Sequence, residues 1–292
     1  MSFLHLHLHS DRSQFDGLIR LKDLLEFSNE YGLKSVSVTD HGNISIAVNL
    51  FKMCQQNDLK PIFGIEAYIV RDKTVKDRKT NHIVLLAKNK VGFQNLKILN
   101  TISFEYFYYH PRIDFSDLQK YGEGLIVTSA CIAGIPAVSF LHGGKQALRE
   151  SIQPFLDLFG DDFYLEIEPF QTGQQKAFNK ACIELCESDS SIKLVATGDC
   201  HYPKKEDREI HQAYMAIKGR YSVREKDRYP YIGYFHMKTY DEMVEDFSTL
   251  HGFDITSNSC FMSALEAPKE IEQKIESFDI REGIRIPQFH GC

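Results

Sequence analysis

Phe3-Leu4-His5-Leu6-His7-Leu8-His9-Ser10 opens the chain with strict alternation of apolar and imidazole side chains. In a β-strand successive side chains point to opposite faces, so this reading puts Leu4, Leu6 and Leu8 on one face and His5, His7 and His9 on the other. An apolar face belongs against a core. An imidazole face calls for a partner, and neutral imidazole is the commonest side-chain metal ligand. The bland alternative is a run of exposed or satisfied histidines. Residues two apart on a strand are separated by about 6.6 Å, so His5 lies about 13 Å from His9, whereas clustered catalytic metals sit about 3.5–4 Å apart. His7 and His9 can therefore share one site, and His5 belongs to the core or to the ligands' surroundings.

Outward from this stretch, apolar β-branched runs recur at 3–9, 34–39, 61–70, 82–87, 124–129, 162–168 and 193–198. Helical patterns lie between or after them at 18–31, 44–58, 91–103, 114–121, 145–159, 173–188 and 206–218. Seven strand–helix units predict an α/β fold whose sheet closes as a distorted seven-stranded β/α barrel. One interval breaks the rhythm. Arg71–Asn81 is too short and charged for a crossover helix, so 61–70 and 82–87 are expected as antiparallel neighbours, with His82 returned towards Glu66. Residues 1–219 then form the barrel. Residues 220–292 read as an appended segment, rich in Tyr, Arg and Lys at 220–238, with short helices near 239–248 and 263–276 and an extended tail at Ile286-Pro287-Gln288-Phe289.

Composition narrows the class. A chain of 292 residues with 43% hydrophobic and 25% charged residues can bury a sizeable core. Neither a membrane span nor a signal-peptide core is visible, and the seven cysteines contain no CxxC pair. Those features predict a cytoplasmic protein with free thiols. The net charge of −6 offers phosphates nothing, so a nucleic-acid ligand would need a local basic patch or bound cations.

In barrels of this type functional residues gather at the carboxyl ends of strands. That rule collects His7, His9 and Asp16 after the first run, Asp40-His41-Gly42 after the second, and Glu66 in the third. It adds His82, Cys131 after the fifth run, and Asp199 and His201 after the seventh. A carboxylate inside an apolar strand is costly unless it is paired or metal-bound. Five histidines, three carboxylates and a thiol exceed the needs of one tetrahedral Zn²⁺. They suit two or three ions, and the mixed N/O/S set favours Zn²⁺, Mn²⁺ or Fe²⁺ over Mg²⁺ or Ca²⁺.

These residues stand in motifs that resemble the polymerase-and-histidinol-phosphatase (PHP) domain family, in the form that begins the alpha subunit of bacterial replicative DNA polymerase III. The motifs are His7-Leu8-His9-Ser10 with Phe15-Asp16-Gly17, then Thr39-Asp40-His41-Gly42-Asn43, then Pro61–Tyr68. His82–Asn89, Ser129–Gly134 and Thr197–Pro203 follow in family order. The resemblance implies a trinuclear metal site held by His7, His9, Asp16, His41, Glu66, His82, Cys131, Asp199 and His201. The set is complete, which implies retained catalysis in which His7, His9, His41, Asp199 and His201 take part and Asp40 orients His41 or its neighbours. Arg12 stands where relatives carry an aromatic residue, and His110 where a Lys is commoner.

The implied activity is metal-assisted phosphoester hydrolysis, as a proofreading-type 3′→5′ exonuclease on the single-stranded end of DNA. Arg12, Arg112 and Lys204 are candidate phosphate contacts. Tyr106, Phe107, Tyr108 and Tyr109 serve either as core or as a stacking platform for bases. Relatives run on into a polymerase palm beyond the Pro287–Cys292 end, so a free-standing protein or one part of a split polymerase is expected. Two alternatives stay open: a small-molecule phosphomonoesterase of the histidinol-phosphatase type, and a non-catalytic, metal-stabilised module that docks a polymerase chain.

Overall fold

The structure is a computed structural model and describes residues 2–225, 228, 229 and 231–282. The tail at Ile286–Phe289, the Pro287–Cys292 end and His290 lie outside those residues. Seven strands form one sheet: β1 (Ser35–Val38), β2 (Lys60–Val70), β3 (Asn81–Ala87), β4 (Arg112–Asp114), β5 (Leu125–Thr128), β6 (Phe163–Ile167) and β7 (Leu194–Ala196). They are ordered β1-β2-β3-β5-β6-β7, with β4 on the upper part of β2. β3 is antiparallel to both β2 and β5, and the other pairings are parallel. The short charged connection does return β3 beside β2, pairing Tyr68 with His82.

The opening alternation is not a continuous strand. Bends at Leu6 and His7 break it, leaving isolated bridges at Leu8 and Ser10. Leu4 and Leu6 join an interior cluster with Ile62, Val84, Leu86, Ile126, Tyr164 and Val195, whereas Phe3 and Leu8 join the outer core. The bend slips the alternation by one residue. Two apolar side chains and then His7 and His9 all face inward, while His5 packs outward against Phe3 and Phe27. This segment also joins the sheet's ends. The His9 amide donates to Cys200 O at 2.8 Å and the Cys200 amide to His7 O at 3.1 Å, while the Thr39 amide donates to Leu8 O at 2.8 Å.

Inward positions follow one gradient. β2 reads Ile62, Gly64, Glu66, Tyr68; β6 reads Tyr164 and Glu166 and continues to Glu168; β7 reads Val195 and continues to Thr197 and Asp199. Apolar side chains occupy one end of the barrel, where Ala267, Ile271 and Ile275 plug it. Polar side chains occupy the other. The helices Leu21–Tyr31, Ala47–Gln56, Lys90–Glu105, Phe115–Tyr121, Ile135–Phe159 and Gly173–Ser188 contribute to the outer core, as their apolar faces require. Among the described residues no helix is long and apolar enough to cross a membrane.

Close approach rather than backbone freedom explains Gly17. A Cβ there would sit 2.1 Å from Ser10 O and 2.8 Å from His9 O, so the loop carrying Asp16 lies directly on the histidine segment. Gly17→Ala is expected to cost about 1–3 kcal/mol of stability in urea unfolding, as overpacking does. Gly173→Ala, with open space around its Cβ, is expected to leave stability unchanged or slightly raised.

Candidate metal centre

Glu66, 1% exposed, is the hub at the polar end of the barrel. Its Oε1 lies 3.2 Å from His7 Nε2 and 2.9 Å from His82 Nδ1. Its Oε2 lies 3.3 Å from His9 Nε2 and 2.6 Å from His41 Nδ1. Asp199 Oδ1 adds contacts at 3.2 Å to His7 Nε2 and 3.0 Å to His9 Nε2. Asp16 faces His41 Nε2 at 3.4 Å and His201 Nε2 at 3.7 Å. Cys131 Sγ lies 3.6 Å from His82 Nδ1 and 3.8 Å from Glu66 Oε1. All nine residues collected from the sequence therefore surround one point, although they come from positions 7 to 201.

The remaining ring nitrogens are held from behind. His7 Nδ1 donates to Glu166 Oε1 at 2.6 Å, and Glu166 also accepts from the hydroxyls of Thr128 and Thr197. Ser13 gives its proton to Asp40 Oδ1 at 2.8 Å, so its oxygen accepts from His9 Nδ1 at 3.1 Å. His201 Nδ1 donates to Asp199 O at 2.7 Å. Each bond holds its ring with Nε2 turned inward, the arrangement by which buried carboxylates and carbonyls orient metal-binding histidines. The buried atoms His7 Nε2, His41 Nδ1 and Glu66 Oε2 have no hydrogen-bond partner. Four ligand triads among the described residues, His9/His41/His201, His7/His9/Glu66, His41/Glu66/His82 and His7/Glu166/Glu168, each bring their donor atoms within 4.8 Å of one another. Ring nitrogens and carboxylate oxygens this close repel unless protons or cations lie between them, and this donor set fits divalent metal.

Electrostatics carry the same mark. Burial alone would raise Glu66, but His82, His41 and His7 hold it well below the usual carboxylate range. Burial would depress His7 and His41. Instead Asp199, Glu166 and Glu66 raise His7 well above its ordinary value, and Glu66 and Asp16 carry His41 up to about 10. His9 goes the other way, pushed to about 3 by burial and by His41 and His201. Burial and the carboxylates of Glu66 and Asp199 push the Cys131 thiol well up.

The centre floors a cavity of about 500 Å³ whose walls include Tyr68, His110, Glu168, Phe170, Lys218 and Tyr231. His110 stacks on Tyr68 at 4.3 Å. Lys218 Nζ lies 2.9 Å from Asp16 Oδ2, and the Tyr231 hydroxyl donates to Asp16 and sits 3.2 Å from His201 Nε2. Sequence reasoning passed over Glu166, Glu168, Lys218 and Tyr231. The first two carried a usable signal: acidic residues at the parity of Tyr164 in an apolar strand, the same test that singled out Glu66. Glu168 is 1% exposed with neither oxygen partnered.

Three expectations are corrected. Arg112 is not a phosphate contact: it is 2% exposed, and its guanidinium donates to the carbonyls of Tyr106, Val75, Asp77 and Lys73. Arg12 points to solvent beside Asp11, 3.6 Å away, and is absent from the cavity wall. Lys204 lines a separate cleft with Glu206 and His236. Asp40, expected to orient His41 or its neighbours, bonds Ser10 and Ser13 and through Ser13 reaches the ring of His9 and the His41 amide rather than the His41 ring.

Comparison with known proteins gives a consistent setting. The family described as PHP domain matches residues 5–169, a stretch that ends before Asp199 and His201. DNA polymerase III subunit alpha of Aquifex aeolicus is 37% identical over 76% of this chain and 20% of its own length. The Borreliella burgdorferi subunit is 33% identical over 95% of this chain and 24% of its own. That of Campylobacter jejuni is 34% identical over 93% and 23%. The chain thus spans a quarter or less of these relatives. Among solved structures, an amidohydrolase from Chromobacterium violaceum aligns at 12% identity and a TM-score of 0.40, over 69% of this chain and 88% of that one, too loosely to bear on function.

Two predictions follow from the geometry. A cation that takes the lone pairs of His7 and His41 displaces the protons their raised affinities hold at neutral pH, and Cys131 must lose its own. Calorimetric Zn²⁺ titrations in buffers of different ionisation enthalpy should register proton release, with affinity rising as pH rises through neutrality. Binding without proton release would contradict this. Glu166→Gln, which leaves the nine residues intact, should weaken metal affinity about 10–100-fold, measured by competition with a chromogenic chelator.

Proposed function

From the premise that this chain belongs to the PHP domain family, we propose that it is a metal-dependent phosphoesterase that shortens DNA from its 3′ end. The observation that carries the hydrolase reading is the gathering of nine N, O and S donor residues at the floor of an open cavity, four of them imidazoles set on the buried carboxylate of Glu66. His7, His9, Asp16, His41, Glu66, His82, Cys131, Asp199 and His201 would hold two or three divalent ions of the Zn²⁺, Mn²⁺ or Fe²⁺ kind. Such ions supply hydroxide at neutral pH and stabilise charge on phosphoryl and leaving oxygens.

The chain's own residues do the positioning. Glu66 and Asp199 each face two or more imidazoles and keep the cluster close. Glu166 and the Asp40–Ser13 pair hold the rings of His7 and His9 so that neither can rotate its lone pair away. Lys218, with its side chain 43% exposed at the cavity wall, takes the part first assigned to Arg12, Arg112 and Lys204, meeting a phosphate oxygen. The choice of DNA as substrate leans on the relatives, which are alpha subunits of DNA polymerase III. A second reading, hydrolysis of a small phosphomonoester, is favoured by the size of the cavity, which suits a ligand of a few hundred cubic ångströms.

A 5′-labelled single-stranded oligonucleotide with Mn²⁺ should yield a ladder shortened from the 3′ end, abolished by EDTA. His9→Ala and Glu66→Gln should lower the rate about 10²–10³-fold while leaving the circular dichroism spectrum unchanged. An intact oligonucleotide beside rapid hydrolysis of p-nitrophenyl phosphate or histidinol phosphate would hand the site to the second reading. Inertness towards all three would end the hydrolase assignment.

A further inference from the structure

We propose that the exposed aromatic and basic surface formed by Phe104, Phe107, Tyr109, Arg78 and Lys79 binds single-stranded nucleic acid and leads it to the cavity mouth. Only the direction towards the cavity rests on the phosphoesterase reading; the binding itself stands on the surface.

The aromatic run at 104–109 was open to two interpretations, and its exposure decides between them. Phe104 is 54% exposed, Phe107 55%, Tyr109 53% and Tyr106 37%. A core run would be buried, because removing large rings from water is among the strongest favourable terms available to a chain. Here rings are held out. Phe104 and Phe107 lie nearly parallel, 15° apart with centroids at 6.4 Å. Tyr109 adopts φ 62°, a left-handed conformation that costs a tyrosine free energy and persists only where surrounding structure enforces it.

The Tyr108 amide donates to His110 O at 3.0 Å across Tyr109, and Arg112 anchors the turn that carries it. Its guanidinium ties the carbonyl of Tyr106 to those of Lys73, Val75 and Asp77, fastening the aromatic turn to the loop that follows β2. The loop supplies charge. Residues 71–79 hold five basic side chains (Arg71, Lys73, Lys76, Arg78, Lys79) and two acidic ones (Asp72, Asp77) in a chain of net charge −6. All but Lys73 are exposed, and the Arg78 guanidinium stacks over the Tyr109 ring at 4.1 Å. Glu105 is a further acidic member of the surface. Positive charge is therefore gathered where the exposed rings are.

The surface is continuous with the site. His110, next to Tyr109, lines the cavity and stacks on Tyr68, and Thr80, two residues from Arg78, lines it too. Interleaved cations and aromatic faces are what a single strand recognises: phosphates meet the cations, and unpaired bases stack on the rings. A duplex has no free base faces to offer, so the surface discriminates by strandedness rather than by sequence.

The test is fluorescence anisotropy of a fluorescein-labelled dT₁₂ strand with the full chain in EDTA, which prevents hydrolysis. Wild type should bind it in preference to a duplex of the same length. The double variant Phe107→Ala/Tyr109→Ala should bind about 10–100-fold more weakly, and Phe107→Trp/Tyr109→Trp should restore binding. Arg78→Ala/Lys79→Ala should flatten the dependence of log affinity on log salt by about 1.4. Hydrolysis of bis(p-nitrophenyl) phosphate with Mn²⁺ should be unchanged in every variant, since none of these residues touches the centre. No binding by wild type, equal binding of duplex, or alanine variants that bind like wild type would overturn the proposal. Binding that follows the variants while the DNA stays uncut would refute the exonuclease reading and leave this surface standing.

Discussion

A carboxylate with almost no access to water, set among four imidazoles, is the constraint on which the rest of this structure turns. Glu66 contacts His7, His9, His41 and His82 at 2.6 to 3.3 Å. Burying one isolated charge costs several kcal/mol even after the protein relaxes. Here the density of ionisable groups is far higher, with Asp16, Asp199 and Cys131 in the same few ångströms. Such a cluster is tolerable only with compensating charge, whether protons on the imidazoles or divalent cations between the donors. The raised His7 and His41 and the depressed Glu66 are the protonic form of that compensation.

The barrel supports the cluster through a simple device. Every second residue on each strand faces inward, and along β2, β6 and β7 those positions change from apolar to polar and acidic towards the same end of the barrel. The apolar half makes a closed interior plugged by the helix Ser259–Lys274. The acidic half forms the site. Behind it, Thr128, Thr197, Ser10 and Ser13 spend their hydroxyl protons on Glu166 and Asp40, so that these carboxylates are satisfied while the imidazoles they orient stay aimed inward. Positioning thus extends one layer beyond the donors, in groups too ordinary to stand out in a sequence.

Legibility tracked the range of the forces involved. The antiparallel return of β3 was readable because the short, mostly charged and polar stretch Arg71–Asn81 cannot make a crossover, and with it came the meeting of His82 and Glu66. Glu66 itself was readable as an acid in an apolar run. Glu166 obeyed the same rule and was passed over because no motif drew the eye to it. The slip at Leu6–His7 was invisible, since an alternating sequence says nothing about where its alternation will bend. Arg112 was misread because an arginine near a phosphoesterase motif looks like a phosphate contact, whereas four carbonyls from two loops claimed its donors first.

Strand–helix alternation, the gathering of functional residues after strand ends and the family motifs were enough to point to a wound α/β barrel, its polar rim and the nine side chains gathered there, because chain periodicity and the cost of burying charge are local properties. Which face each opening histidine takes, which acids stand behind the donors, and which cations meet the cavity depended on how distant segments close against one another. Those outcomes belong to the closed fold: hydrogen bonds between residues as far apart as His5 and Lys238 compete for the same donors, and only the completed packing decides which pairs win.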